Sequence, residues 1–229
     1  MDHQGHRERL KQRFRQEGLD GFGDEKVLEL LLFYIIPRRD TAPIARALLE
    51  QFGSLTGVLE ASPMALTKVP GMGENAASFI QFIMALNRYY LIRQTAGRKK
   101  LTTLELCREY LWPRFLGLQE ERVCALCLDA GCGVLGCKIL GSGSVNSAAI
   151  PIRKIVEFAL SSNATSLVLA HNHPGGIAVP SQEDLDSTQK VEAALAAVGV
   201  ILADHLIIAD NAYVSLAESD LLRGIHQTG

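Results

Sequence analysis

His171 and His173 stand two residues apart, directly after the apolar run Ser166-Leu-Val-Leu-Ala170. That run reads as a buried strand. On extended chain, residues two apart point to the same side, so both imidazoles can reach one point just past the strand's end. The loop that follows, Pro174 to Pro180, is rich in Pro and Gly and cannot be helical. Helical periodicity then begins after Ser181, at Leu185, Thr188, Val191 and Leu195, which puts Asp184 in a first helical turn. Two neutral His nitrogens and one carboxylate suit a borderline metal such as zinc and leave a fourth position for water. A closed structural site would want four protein ligands. The same residues carry another reading, because Ser181-x-x-Asp184 also fits a capping box. Asn172 points away from its two neighbours, and spacing gives it no role.

A zinc hydrolase needs a base for the attacking water. Glu120, Glu121 and Glu157 are the candidates. Glu120 and Glu121 open a strand and face opposite ways, so at most one looks towards the site. Without further information, Glu120-Glu121-Arg122 also reads as a charged strand entrance.

These residues need a scaffold. Thr102-x-x-Glu105 reads as a capping box before a helix reaching about Phe115. Glu121–Leu128, the turn Asp129–Gly133 and Val134–Leu140 form a hairpin. A helix over 151–160 precedes the strand 166–170, and a helix over 181–198 follows the metal loop. Strands at Val200–Ala203, Leu206–Ala209 and Tyr213–Leu216, the last reached through the turn Asp210-Asn211, complete a mixed sheet between helices. Asp204 and His205, between two of these strands, could orient a metal ligand from behind, but structural hydrogen bonds are the expected role.

The first half shows no competing strand pattern. Helices are expected over Arg7–Gln16, over Val27–Ile36 with Asp24 as cap and Pro37 as stop, and over Ile44–Phe52 after Thr41. Short helices follow at Ser54 and Ser62, and a long one runs from about Asn75 to Arg93. Before it, Val69-Pro-Gly71-Met-Gly73-Glu74 makes a tight turn whose amides meet a helix N-terminus, a place suited to phosphate. Lys68 would add a phosphate contact, whereas Glu74 opposes an anion. Arg38 and Arg39 are read as capping the preceding helix's C-terminus. The polar, basic stretch Gln94–Lys100 marks a domain boundary, giving a helical domain over 1–98 and an α/β domain over 102–229.

At 48% hydrophobic and 21% charged residues, the chain has the composition of a globular protein rather than a disordered one. Residues 1–100 carry 15 Lys and Arg against 11 Asp and Glu, while 101–229 carry 8 against 14. A mildly basic half and an acidic half suit different partners. No stretch resembles a signal peptide or a membrane span, so a cytoplasmic protein is expected. Of the five cysteines, Cys124 and Cys127 would face opposite sides of a strand, which favours buried core thiols over a zinc cluster.

The pattern His-x-His, seven residues, Ser, two residues, Asp resembles the JAMM (MPN-plus) metalloproteases. His-Asn-His-Pro-x-Gly, Asp204-His205-Leu-Ile-Ile and Tyr213-Val-Ser-Leu216 resemble the bacterial RadC branch. So do Gly5-His-Arg-Glu-Arg-Leu10, Glu29-Leu-Leu-Leu-Phe-Tyr34, Ile36-Pro-Arg-Arg-Asp-Thr41 and Phe52-Gly-Ser-Leu55. The turn around Gly71 and Gly73 resembles a helix-hairpin-helix motif, which implies DNA-backbone contact through Lys68, Gly71 and Gly73, or a protein contact. The resemblance implies an all-α helix-hairpin-helix domain followed by an α/β JAMM domain of cytidine-deaminase-like fold with a mixed central sheet. It further implies one zinc ion on His171, His173 and Asp184, Glu121 as catalytic base and Ser181 as oxyanion donor. In RadC-like chains that Glu lies eight residues before the Asp ending the first core strand, here Asp129. The expected activity is a metallopeptidase or isopeptidase acting on a peptide or protein. A DNA-processing hydrolase and a non-catalytic DNA-binding adaptor with a structural zinc are the alternatives. The loop departs from the family where Gly175 and Ile177 replace the usual Ser and frequent Asp.

Overall fold

Six helices occupy the first part of the chain: α1 (His3–Glu17), α2 (Asp24–Ile35), α3 (Ala42–Phe52), α4 (Leu55–Glu60), α5 (Pro63–Leu66) and α6 (Glu74–Thr95). The computed structural model describes residues 3–143, 150–209 and 212–222. Leu28, Leu32, Leu48, Val58, Leu66 and Ile80 form the core shared by α2 to α6. Local signals set several helix starts. Ser54 caps α4 by accepting from Gly57 N, and Ser62 caps α5 by accepting from Ala65 N. Asp24 is not a cap, because Gly23 occupies that position, and the Asp24 carboxylate instead accepts from Leu55 N. Thr41 likewise makes no side-chain cap, since its hydroxyl donates to Glu29 O. At the end of α2, Arg7 rather than Arg38 or Arg39 donates to Ile36 O. Glu74 is the first residue of α6, not part of the turn.

The chain divides into two units, Met1–Asn87 and Arg88–Gly229. The division falls inside α6 rather than at Gln94–Lys100. Arg93 and Gln94 are good helix formers, and α6 runs on to Thr95. Lys99 and Leu101 join the second unit, where Lys99 O accepts from Val134 N and Leu101 N donates to Cys132 O.

The second unit begins with α7 (Leu104–Leu111), capped by Thr103 rather than Thr102. Pro113 converts the expected continuation into a 3₁₀ turn over Trp112–Arg114. There follow β1 (Glu121–Leu128), β2 (Val134–Gly143), α8 (Ile152–Ser161), β3 (Ser166–Asn172), α9 (Gln182–Ala196), β4 (Ile201–Ala209) and β5 (Ala212–Ser215). The sheet order is β2-β1-β3-β4-β5, with only the β3–β4 pair parallel. The sheet is therefore mixed, with helices on both faces. Cys124, Leu126, Val168 and Leu206 pack under α7, while Val123, Cys127, Leu167 and Leu169 pack under α8 and α9. Cys124 and Cys127 thus lie on opposite faces, and all five cysteines are free. β4 is one strand, not two. Its register slips beside Leu167, where Ala203 is the extra residue of a bulge. The turn expected at Asp210-Asn211 lies outside the described residues. No helix among the described residues is long and apolar enough to cross a membrane.

Candidate metal centre

Strand parity delivers the site. Leu167 and Leu169 face α9, so His171, still within β3, faces it as well. On β1, Val123 and Cys127 share that face, and Glu121 has the same parity. The helix α9 starts above these strand ends and brings in Asp184. His171 Nε2 lies 2.9 Å from His173 Nε2 and 3.1 Å from Asp184 Oδ1, and His173 Nε2 lies 3.5 Å from Asp184 Oδ2. Ligand atoms about 2.0–2.1 Å from a tetrahedral zinc are separated by about 3.3 Å, close to the His171–His173 and His171–Asp184 distances, while His173 meets the other Asp184 oxygen. One donor atom from each residue falls within 4.8 Å of the others. The donor set is compatible with a metal ion.

The capping box and the metal triad are the same structure. Ser181 Oγ accepts from Asp184 N, and Ser181 N donates to Asp184 Oδ2 at 2.8 Å. The Ser181 hydroxyl also donates to Oδ2 at 2.6 Å. Asp184 is thus held through Oδ2 by its own helix start while Oδ1 faces His171. Burial pushes its carboxyl upward, but bonds from His171, His173 and Ser181 outweigh burial and hold it far below the ordinary carboxylate range. The bond to Asp184 raises His173, and the Glu121 charge adds to the rise. Glu121 is therefore electrostatically within reach of His173. His173 Nδ1 donates to the Ile177 carbonyl at 3.2 Å, so in the neutral ring the proton sits on Nδ1 and Nε2 is bare, whereas the protonated ring also offers Nε2–H to Asp184.

Glu120 pairs with Arg122 on the surface, and Glu157 pairs with Arg153 on α8. Of the three candidate bases, Glu121 is among the charges acting on His173.

Spacing gave no role to Asn172 and none beyond helical phase to Thr188, and for His205 it favoured a structural bond over the alternative of orienting a ligand. Asn172 accepts from Arg122 N and donates to Glu120 O, so it grips the backbone on both sides of Glu121. His205, fully buried, contacts His171 Nδ1 through Nε2 at 2.8 Å, and its Nδ1 lies 2.6 Å from Thr188 Oγ1. Burial pushes His205 well below the usual imidazole range. The β4 bulge is what aims His205 here, because it shifts the strand's alternation by one residue. Asp204, turned to the opposite face, does make structural bonds: it accepts from Ser215 Oγ and Ala217 N and so fastens β5. The Asp-His pair on β4 and the helical phase of Thr188 were the available signals.

In the first unit, Lys68 is exposed between α5 and α6, and Gly73 precedes α6. Gly71 has φ +94°, and a Cβ there would lie 2.8 Å from Ile44 Cδ1, so the turn accepts only glycine.

A protein-family description, the RadC-like JAB domain, matches residues 101–221. The UPF0758 protein FN0909 of Fusobacterium nucleatum subsp. nucleatum is 33% identical over 96% of this chain and 98% of its own length. With the paired histidines, the Asp184 helix start and the mixed sheet in place over the matched residues, the chain belongs to the RadC family.

Proposed function

We propose that this protein is a zinc-dependent amide hydrolase, a peptidase or isopeptidase, with His171, His173 and Asp184 holding one ion. The observation that supports it most is the convergence of two Nε2 atoms, 2.9 Å apart, on the two oxygens of one carboxylate at 3.1 and 3.5 Å, with the Glu121 charge acting on His173. A bound zinc supplies Lewis acidity, which makes water acidic near neutrality and polarises a carbonyl. Glu121 takes the proton from the attacking water and returns it to the leaving amine nitrogen. Asn172 keeps the Glu121 backbone fixed during both transfers. In this reading Ser181 Oγ donates to the developing oxyanion, for which its proton turns away from Asp184 Oδ2. Ser181 N–H keeps hold of the carboxylate meanwhile.

Elemental analysis tests the centre: near one zinc per chain in the intact protein and loss in His173→Ala. Glu121→Gln should then abolish peptide cleavage with zinc retained. Cleavage that survives Glu121→Gln rejects the assigned base, and cleavage of DNA but not peptide favours the nuclease alternative.

A second reading concerns the first unit. Exposed Lys68 beside the Gly71 turn and the start of α6 supports DNA-backbone contact there. Duplex binding that weakens in Lys68→Ala, with a shallower salt dependence, is expected. Binding unchanged in that variant rejects the contact.

A further inference from the structure

We propose that Thr188 and His205 are positioning residues that decide, by hydrogen-bond direction, which nitrogen of His171 carries its proton. The proposal rests on the metal reading of the site and deepens it. A threonine hydroxyl has one proton to give. Thr188 Oγ1 lies 2.6 Å from the Asp184 carbonyl oxygen, which can only accept. The proton therefore belongs on that line, and Thr188 Oγ1 must accept from its other contact. That contact is His205 Nδ1 at 2.6 Å, so His205 carries Nδ1–H. A neutral imidazole with Nδ1–H has a bare Nε2. His205 Nε2, 2.8 Å from His171 Nδ1, thus accepts, and His171 carries its proton on Nδ1. His171 Nε2 is left bare, facing the bare Nε2 of His173 at 2.9 Å.

The opposite arrangement has a definite cost. With His171 Nε2–H, the two histidines would form an ordinary hydrogen bond and His171 could not ligate. His205 would then need a proton from Thr188 at Nδ1, leaving Thr188 Oγ1 and the Asp184 carbonyl as two facing acceptors at 2.6 Å. The relay therefore selects a cation-binding pair over a self-satisfied one. It also closes a ring, because it starts at the carbonyl of Asp184 and ends at His171, two of the three ligand residues.

The test reads imidazole protonation by long-range nitrogen–proton correlation in the metal-free full chain at alkaline pH, and zinc affinity by chelator competition. The wild type should show Nδ1–H on both His171 and His205. Thr188→Val should move His171 towards Nε2–H and weaken zinc binding about tenfold to a hundredfold. Thr188→Ser, which keeps the hydroxyl, should restore both. Nε2–H on His171 in the wild type overturns the proposal, with no variant needed. So does Thr188→Val with unchanged tautomer, whatever its affinity, or Thr188→Ser that fails to rescue. A wild type with Nδ1–H on both rings that takes up no zinc supports the relay and rejects the metal reading.

Discussion

Asp184 turns Oδ1 to His171 on β3 and shares Oδ2 between Ser181 at its own helix start and His173. That division predicts a pH dependence for the metal-free protein. His173 is raised in the folded chain, so its contribution is complete below its unfolded value near 6.5 and fades as pH rises through the higher folded value. Asp184 is lowered, so its contribution is present above about pH 3.9 and fades only as pH falls through its folded value. Both are present together in mildly acidic solution. Asp184→Asn should therefore lower the melting temperature of the metal-free protein more at about pH 5.5 than at about pH 8.5. Equal losses at the two values would refute the coupling. Asn172 makes a separate prediction. Removing its side chain leaves Arg122 N and Glu120 O without their bonds, at about 1–3 kcal/mol each where buried. Asn172→Ala should reduce turnover by displacing Glu121 while zinc affinity stays at the wild-type level. Loss of zinc in step with turnover would place Asn172 elsewhere in the chemistry. Spacing pointed to the His171, His173 and Asp184 cluster because a strand alternates and a helix has a phase. It did not show Asn172, because its partners are backbone groups, which every residue carries.

Most elements were legible from their boundaries, and the exceptions share a cause. Ser54, Ser62 and Ser181 act as caps because each stands where the backbone leaves extended geometry just before a helix. Asp24 and Thr41 have cap chemistry too, but Leu55 N and Glu29 O claimed them from other elements. Such claims come from tertiary packing, which a local pattern does not contain. The β4 bulge was hidden for a related reason: Asp204-His205 looked like a polar interruption, whereas burial of Asp204 under Ser215 makes it part of a continuous strand. Gly175, at φ +66°, suits the left-handed geometry of the loop after β3 better than a serine would, by about 1 kcal/mol. The α9 start permits the cap and donor roles of Ser181 to be separated. Ser181→Ala should cost about 1 kcal/mol of stability through the lost cap, and Ser181→Gly only a few tenths. Both lose the hydroxyl, so if Ser181 serves the oxyanion, turnover should fall equally in the two. Turnover that follows stability instead would leave Ser181 as a cap alone.

The two units differ in what their sequences disclosed. The helical unit was legible as helices, while its boundary was not, because α6 carries no stop signal where the units divide at Asn87 and Arg88. The expected boundary after residue 98 matched composition, but Lys99 to Leu101 are bonded to the β1–β2 hairpin end through Val134 N and Cys132 O. Leu101 is 2% exposed and packs with Cys107 and Leu111 under the sheet. Arg88 also donates to Leu116 O at 3.2 Å within the second unit. A fragment starting at residue 88 keeps all of these, whereas one starting at 102 loses them. Removing a buried Leu costs about 2–5 kcal/mol. In a domain of this size that lowers the melting temperature by roughly 5–15 °C. Fragment 88–229 should bind zinc as tightly as the full chain, because every ligand and every member of the relay lies within it. Fragment 102–229 should melt lower by that margin while its folded form binds zinc with the same affinity. Equal melting temperatures would show that residues 88–101 contribute nothing to this unit, and weaker zinc binding by 88–229 would show that the helical unit shapes the centre.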